Sequence, residues 1–194
     1  MRKNVAILVF DDVEVLDFAG PFEVFAVTDE LRSHTVFNVV TVAPAAGTIR
    51  ARNGLGVVPG FTIGDCPPPD ILVVPGGFGT RALLRNEVLI HWIQEKSRAA
   101  EITMSVCTGA LLLAQAGILE GRRVTTHHDA IDLLRKLAPN AIVDPGARFH
   151  DTGGVLTAAG ISAGIDCALH LVGRVLGEAA ARETAAYMEY ERRT

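Results

Sequence analysis

The 194-residue sequence has few cysteines, few aromatic residues and no run of like charge. Its three cysteines, Cys66, Cys107 and Cys167, are odd in number and far apart. That excludes a disulfide framework and the close cysteine pairs of zinc sites, and it predicts reduced thiols in a cytoplasm. With no basic stretch and a formal net charge of −4, nucleic acid is not an expected partner. No secretory leader is expected, because Asp11 and Asp12 cut short the apolar run that follows Arg2 and Lys3. The apolar segment from Ile102 to Leu119 contains Ser105, Thr108, Gly109 and Gln115 and a strand-to-helix break, so no membrane span is predicted. No glycine loop ends in Lys followed by Ser or Thr, which removes a phosphate loop. The six histidines form no ligand pattern, so neither a metal nor another cofactor is implied.

What is present is hydrophobic content. At 49% it suffices for a core spanning residues 1–194 as one domain. Strand and helix patterns alternate. Continuous apolar runs at Asn4 to Phe10, Phe37 to Val42, Ile71 to Val74 and Glu101 to Val106 predict strands buried on both faces. Shorter late strands are expected at Arg123 to Thr126, Ala141 to Val143, Arg148 to His150 and Val155 to Ala158. Helices are predicted over Pro21 to Leu31, Asn86 to Ala99, Cys107 to Ala116, Asp129 to Leu137, Ala163 to Leu176 and Glu178 to Tyr190. The stretch from Gly54 to Pro69 reads as a long connection holding a short strand. Such alternation predicts an α/β fold, a three-layer sandwich with a mainly parallel central sheet.

Ligands of such sheets bind beyond the carboxyl ends of the strands. Three polar or glycine-rich features fall there: Asp11 to Asp17, Pro75 to Thr80, and Cys107 with Thr108. Cys107 ends an apolar strand just before a small-residue helix. A thiol at such a corner faces the free N–H groups of the helix, which favours the thiolate and predicts a nucleophile. The turn Pro75-Gly76-Gly77-Phe78-Gly79-Thr80 is read as a source of backbone N–H donors for developing negative charge, shared with the Thr108 N–H. Asp17 is either a helix-terminal acid or a carboxyl group facing Cys107, where it would stay protonated and exchange a proton with the sulfur. Glu14 competes for that role. Phe78, His127 and Ile161 are expected to shape the pocket. Cys66 and Cys167 are read as packing residues.

The run from Val5 to Pro21, with Asp11, Asp12, Glu14 and Asp17 inside it, resembles the opening of the ThiJ/PfpI superfamily, and more narrowly its isonitrile hydratase branch. Val73 to Thr80, Ser105 to Ala110, Arg123 to His127 and Ala159 to Asp166 match the same branch. The resemblance implies a flavodoxin-like sandwich related to class I glutamine amidotransferase domains. It implies Cys107 as nucleophile, Asp17 as its acidic partner and Thr108 as a functional threonine, with backbone donors from Gly77 and Thr108. PfpI-type peptidases carry a histidine directly after the cysteine, whereas Thr108 stands here, so a peptidase is not expected. The same motifs occur in the sensor half of AraC-type regulators, which continue into a helix-turn-helix region beyond the point where this sequence ends at Thr194. The expected activity is a cofactor-free hydration of isonitriles to N-substituted formamides, on a small-molecule substrate and in a homodimer. Two alternatives stay open: glyoxalase or deglycase chemistry on reactive carbonyls, and a non-enzymatic cysteine redox sensor or ligand-binding module.

Overall fold

The structure is a computed structural model that describes residues 2–193. In chain order the elements begin with β1 (Lys3–Leu8), α1 (Val15–Glu30), β2 (Phe37–Ala43), β3 (Ile49–Arg50), β4 (Gly56–Val57), β5 (Phe61–Thr62) and β6 (Ile71–Val74). Next come α2 (Thr80–Leu83), α3 (Glu87–Ala99), β7 (Ile102–Val106), α4 (Gly109–Gln115), β8 (Arg123–Val124) and α5 (Ile131–Leu137). The last are β9 (Ile142–Val143), β10 (Phe149–Asp151), β11 (Val155–Ala158), α6 (Ala163–Leu176) and α7 (Glu178–Tyr187).

The protein is an α/β fold around a seven-stranded sheet ordered β10-β11-β7-β6-β1-β2-β5. Every pairing in it is parallel except β10 with β11. Strands β6, β7 and β11 are buried along their whole length, as their unbroken apolar sequences require of strands covered on both faces. Helices α1, α6 and α7 pack together on one side, and α2, α3 and α5 gather around α4 on the other. Each fully buried Leu, Ile, Val or Phe of this core contributes roughly 1.5–3 kcal/mol. No helix among the described residues is long and apolar enough to cross a membrane.

The departures from the sequence reading have local causes. Helix α1 begins at Val15, six residues before the predicted start at Pro21, so the proline lies inside it. Having no N–H, Pro21 gives nothing to the carbonyl of Asp17, a loss this packed helix tolerates. Asp17 therefore stands in the first turn of α1 and not ahead of it. The connection after β2 holds a β3–β4 hairpin that was not predicted, and its short strand β5 closes the sheet edge. Helix α5 starts at Ile131, because His128–Ala130 form a tighter turn first. Strand β8 stops at Val124, and α7 ends at Tyr187.

The turns after β1 and β6 are stitched together. Val13 bridges Gly77, and Glu14 N–H donates to Gly76 O at 2.9 Å. Gly77 has a φ of +128°, and a Cβ there would strike the backbone of Val13 at 2.8 Å, so only glycine fits. Gly109 opens α4 hard against the end of β6, where a Cβ would lie 2.9 Å from Pro75. These close approaches bring the ends of β1, β6 and β7 to one place.

Candidate active site

Cys107 occupies the corner between β7 and α4 with a φ of +91°, the left-handed region that disfavours any side chain. Its neighbours hold it there. Cys107 N–H donates to Ala158 O at 3.1 Å, while its own carbonyl accepts from His127 N–H at 3.3 Å and from Thr126 Oγ1. A second strained residue faces it. Ile161, in the turn between β11 and α6, has a φ of +47°, rare for a branched side chain. Its N–H and that of Thr108 favour the charged sulfur of Cys107, although neither makes a hydrogen bond of regular geometry to it. Conformational strain of this kind, of order 1–3 kcal/mol per residue, collects at functional sites.

Behind the thiol lies Asp17, with no solvent exposure. Its Oδ2 accepts the Gly76 N–H at 3.0 Å, while Oδ1 is buried with no hydrogen-bond partner among the described residues. Burial pushes the Asp17 carboxyl up to about 7, against the Cys107 thiol and the Gly76 N–H, which favour its charged form. Glu14 adds a smaller upward push, and no cation opposes it. Interaction between Asp17 and the thiol is felt by both groups, although no hydrogen bond of regular geometry joins them.

The thiol departs from the expectation that the corner alone would acidify it. Burial pushes Cys107 up to about 12, and the negative charge of Asp17 pushes in the same direction. The Ile161 and Thr108 N–H groups pull it back only in part. Helix α4 spans only Gly109–Gln115, a short source of dipole, and desolvation outweighs it. The acid and the thiol titrate as a pair. The pair holds two protons below about 7 and one between about 7 and about 12.

Thr108 and Gly77 are also arranged differently from the expectation. Thr108 Oγ1 accepts the Gly77 N–H at 2.9 Å and donates to Gly77 O at 3.0 Å. Gly77 N–H is thus engaged inside the protein and is not a free donor for substrate charge. The Thr108 hydroxyl is equally engaged, with Thr80 Oγ1 at 3.2 Å, and serves to fasten the β6 turn to the corner. The backbone groups that favour the thiolate are the N–H groups of Thr108 and Ile161. The second of these was not foreseen, since nothing in the sequence marks an isoleucine for positive φ.

In front of the thiol opens a pocket of about 230 Å³, lined by Cys107, Thr108, Gly77, Phe78, His127 and Ile161, all singled out in the sequence. That volume suits a small ligand, below the roughly 300–1,000 Å³ of drug-sized sites. Glu14, Arg52, Arg81 and Asp129 complete the wall. Of these, only Glu14 was considered from sequence, as a rival to Asp17. Arg52 and Asp129 come from short turns and Arg81 from α2, and none of the three carries a motif. The Phe78 ring is 64% exposed, with the Arg52 and Arg81 guanidinium carbons 5.5 Å and 5.7 Å from its centre. His127 Nδ1 accepts the Asp129 N–H at 3.2 Å, so its neutral ring carries its proton on Nε2. Burial lowers the His127 pKa, helped by His128 and Arg81. Donor atoms of His127, His128 and Asp129 lie within 4.8 Å of one another, a spacing that a metal ion accepts. His128 and Asp129 are exposed, and His127 and Asp129 line the same pocket as Cys107.

The layered parallel sheet and the strained cysteine corner define an α/β protein of one family: a model described as the DJ-1/PfpI family matches residues 3–174, and the chain belongs to that family. Among its relatives, the isonitrile hydratase of Pseudomonas putida is 34% identical over 98% of this chain and 79% of that protein. The HTH-type transcriptional regulator GbdR of Pseudomonas aeruginosa is 25% identical over 98% of this chain and 51% of the regulator. The chain thus spans about half the length of that regulator. The crystal structure of a ThiJ/PfpI family protein from Pseudomonas syringae superposes with a TM-score of 0.89 at 28% identity, covering 100% of this chain and 77% of the other.

Proposed function

We propose that the protein is a cysteine-dependent hydro-lyase that hydrates isonitriles to N-substituted formamides. The observation that carries this reading is the buried Asp17 carboxyl beside the Cys107 thiol, raised to about 7 with no cation to balance it. Such an acid keeps a proton near neutral pH and can return it after each cycle.

The chemistry follows from one shared proton. Oδ2 of Asp17 accepts the Gly76 N–H, so the proton of the neutral acid sits on Oδ1, the oxygen without a partner. Above about 7 the pair rests as the Asp17 carboxylate and the Cys107 thiol, and passing the thiol proton to Asp17 gives the reactive form, acid beside thiolate. Asp17 gives its proton to the terminal carbon of R–N≡C, and the sulfur forms a bond to that carbon. The product is a thioimidate, R–N=CH–S–Cys107. Water then adds to the same carbon. One of its protons goes to nitrogen and the other returns to Asp17. The carbon–sulfur bond breaks, releasing R–NH–CHO and the thiolate. The N–H groups of Thr108 and Ile161 steady the sulfur as it departs with its charge. Thr108 holds the β6 turn, Phe78 offers the substrate an aromatic wall, and His127 lines the pocket as a neutral ring. No step calls for a metal or another cofactor.

We place the protein in the cytoplasm as a homodimer whose whole 1–194 span acts as one domain. Three free cysteines support the first point, and the family resemblance supports the second. Packing of α7 on α6 and α1 supports the third. Elution as a monomer from a sizing column removes the dimer. The test of activity is direct. The purified protein is given a simple alkyl isonitrile and, in parallel, methylglyoxal. Formamide production that Cys107→Ala abolishes supports the hydratase. Turnover of methylglyoxal alone replaces it with carbonyl chemistry, and turnover of neither, with peroxide oxidising Cys107 selectively, replaces it with a sensor.

A further inference from the structure

The pocket carries one positive charge that no carboxylate among the described residues answers. Arg52 is met by Glu14 at 4.0 Å. Asp129 lies beside His127 and His128, at 3.7 Å and 3.2 Å. Arg81 has no carboxylate partner among the described residues. Its Nη1 donates to Gly77 O at 3.2 Å and to Thr80 Oγ1 at 3.3 Å. Those contacts tie one corner of the guanidinium to the turn that carries Phe78, and Phe78 itself lies 5.7 Å from it. The opposite edge, Nε with Nη2, makes no hydrogen bond among the described residues. That edge presents two parallel N–H groups in the fork that fits a carboxylate.

Two further observations say where the charge acts. Arg81 lowers the pKa of His127, so its field reaches across the pocket. Arg81 lines the same pocket as Cys107, His127 and Phe78. An exposed side chain held at one nitrogen, with an unused bidentate edge at the wall of a small pocket, can receive a ligand group of opposite charge.

We propose that the small molecule bound in this pocket bears a carboxylate, received by the Nε/Nη2 edge of Arg81 while the apolar body of the ligand lies along Phe78. The inference rests on the hydratase reading only for the reacting end of the substrate, which would make that substrate an isonitrile with an acid group. The anion site stands or falls separately.

The test is an NMR titration of the ¹⁵N-labelled protein with benzoate and with benzamide, a neutral molecule of the same shape, following the amides of Gly77, Phe78 and Arg81. Benzoate is expected to bind at least about tenfold more tightly, a difference of about 1.4 kcal/mol. The preference should vanish in Arg81→Met, survive in part in Arg81→Lys and weaken with added salt. Equal affinity for the two probes, binding of neither, or a preference that persists in Arg81→Met would overturn the proposal. Turnover of a neutral alkyl isonitrile and of isocyanoacetate, which bears the acid group, is measured alongside. A benzoate preference without isonitrile turnover removes the hydratase and leaves the anion site. Turnover without the preference does the reverse.

Discussion

Two aspartates of this protein lie in the first turns of helices that pack on each other, both without solvent exposure, yet their surroundings are opposite. Asp166, on α6, is fully answered. Arg148 Nε reaches its Oδ2 at 2.8 Å with Nη2 beside it, and Arg193 N–H donates to its Oδ1 at 2.8 Å. Asp17, on α1, has one backbone N–H, one oxygen without a partner and no cation. Burial alone therefore does not define a functional acid. A buried carboxylate with its charges balanced is a structural tie, here joining β10, α6 and the C-terminal segment. A buried carboxyl left unbalanced keeps its proton, and that proton is available for chemistry.

Substitutions sharpen the contrast, beginning with the largest expected effect. Cys107→Ala should remove all formamide production, measured by steady-state turnover with an alkyl isonitrile, because no other thiol lines the pocket. Asp17→Asn should lower turnover by about 10²–10⁴-fold, since it cannot cycle a proton. The same change should make the protein more stable at pH 8. The Asp17 pKa in the folded protein lies above its ordinary value of 3.8, so the folded state binds that proton more tightly. Its contribution to stability is complete below about pH 4 and is lost as pH rises through about 7. Asparagine, having no charge to bury, should recover roughly 2–4 kcal/mol at pH 8, read by urea denaturation. Wild type and variant should converge near pH 4.

Asp166→Asn should act in the opposite sense. Removing one side of a buried ion pair strands Arg148, at a cost of about 3 kcal/mol in stability and near 10 °C in melting temperature. If Asp17→Asn destabilised the protein as much as Asp166→Asn, the contrast between the two acids would fail. A smaller effect concerns pH. Turnover per active site at low substrate should climb about tenfold per pH step below 7 and level off above it, as the pair loses the first of its two protons. The smallest is expected at Thr108. Thr108→Ser keeps the hydroxyl that clasps Gly77 and should retain nearly full activity, whereas Thr108→Val leaves both Gly77 groups unanswered and should cost about 1–3 kcal/mol in stability.

Much of this arrangement was legible in the residues themselves. Buried parallel strands announce themselves as unbroken apolar runs, and a cysteine between such a run and a small-residue helix marks the corner. Phe78 follows from strand-end logic, His127 from the histidine that cysteine chemistry often keeps nearby, and Ile161 stands in a run that the family resemblance marked. Other features needed the folded chain. Pro21 looked like a helix start because proline is favoured there, and only tertiary packing carries α1 past it to Val15. The thiol was expected to be acidic because the corner was visible and the desolvation was not. Gly77 looked like a free donor because nothing local shows that Thr108, 31 residues on, takes its N–H. Arg52 and Arg81 escaped notice because a single arginine in a short turn or a one-turn helix has no period or spacing to read.

The most direct measurement is the carboxyl resonance of Asp17 followed by ¹³C NMR across pH. The account predicts a midpoint near 7 in the wild type, and a higher midpoint in Cys107→Ala, because the thiol now favours the charged acid. A midpoint near 4, or one that Cys107→Ala leaves in place, would contradict it.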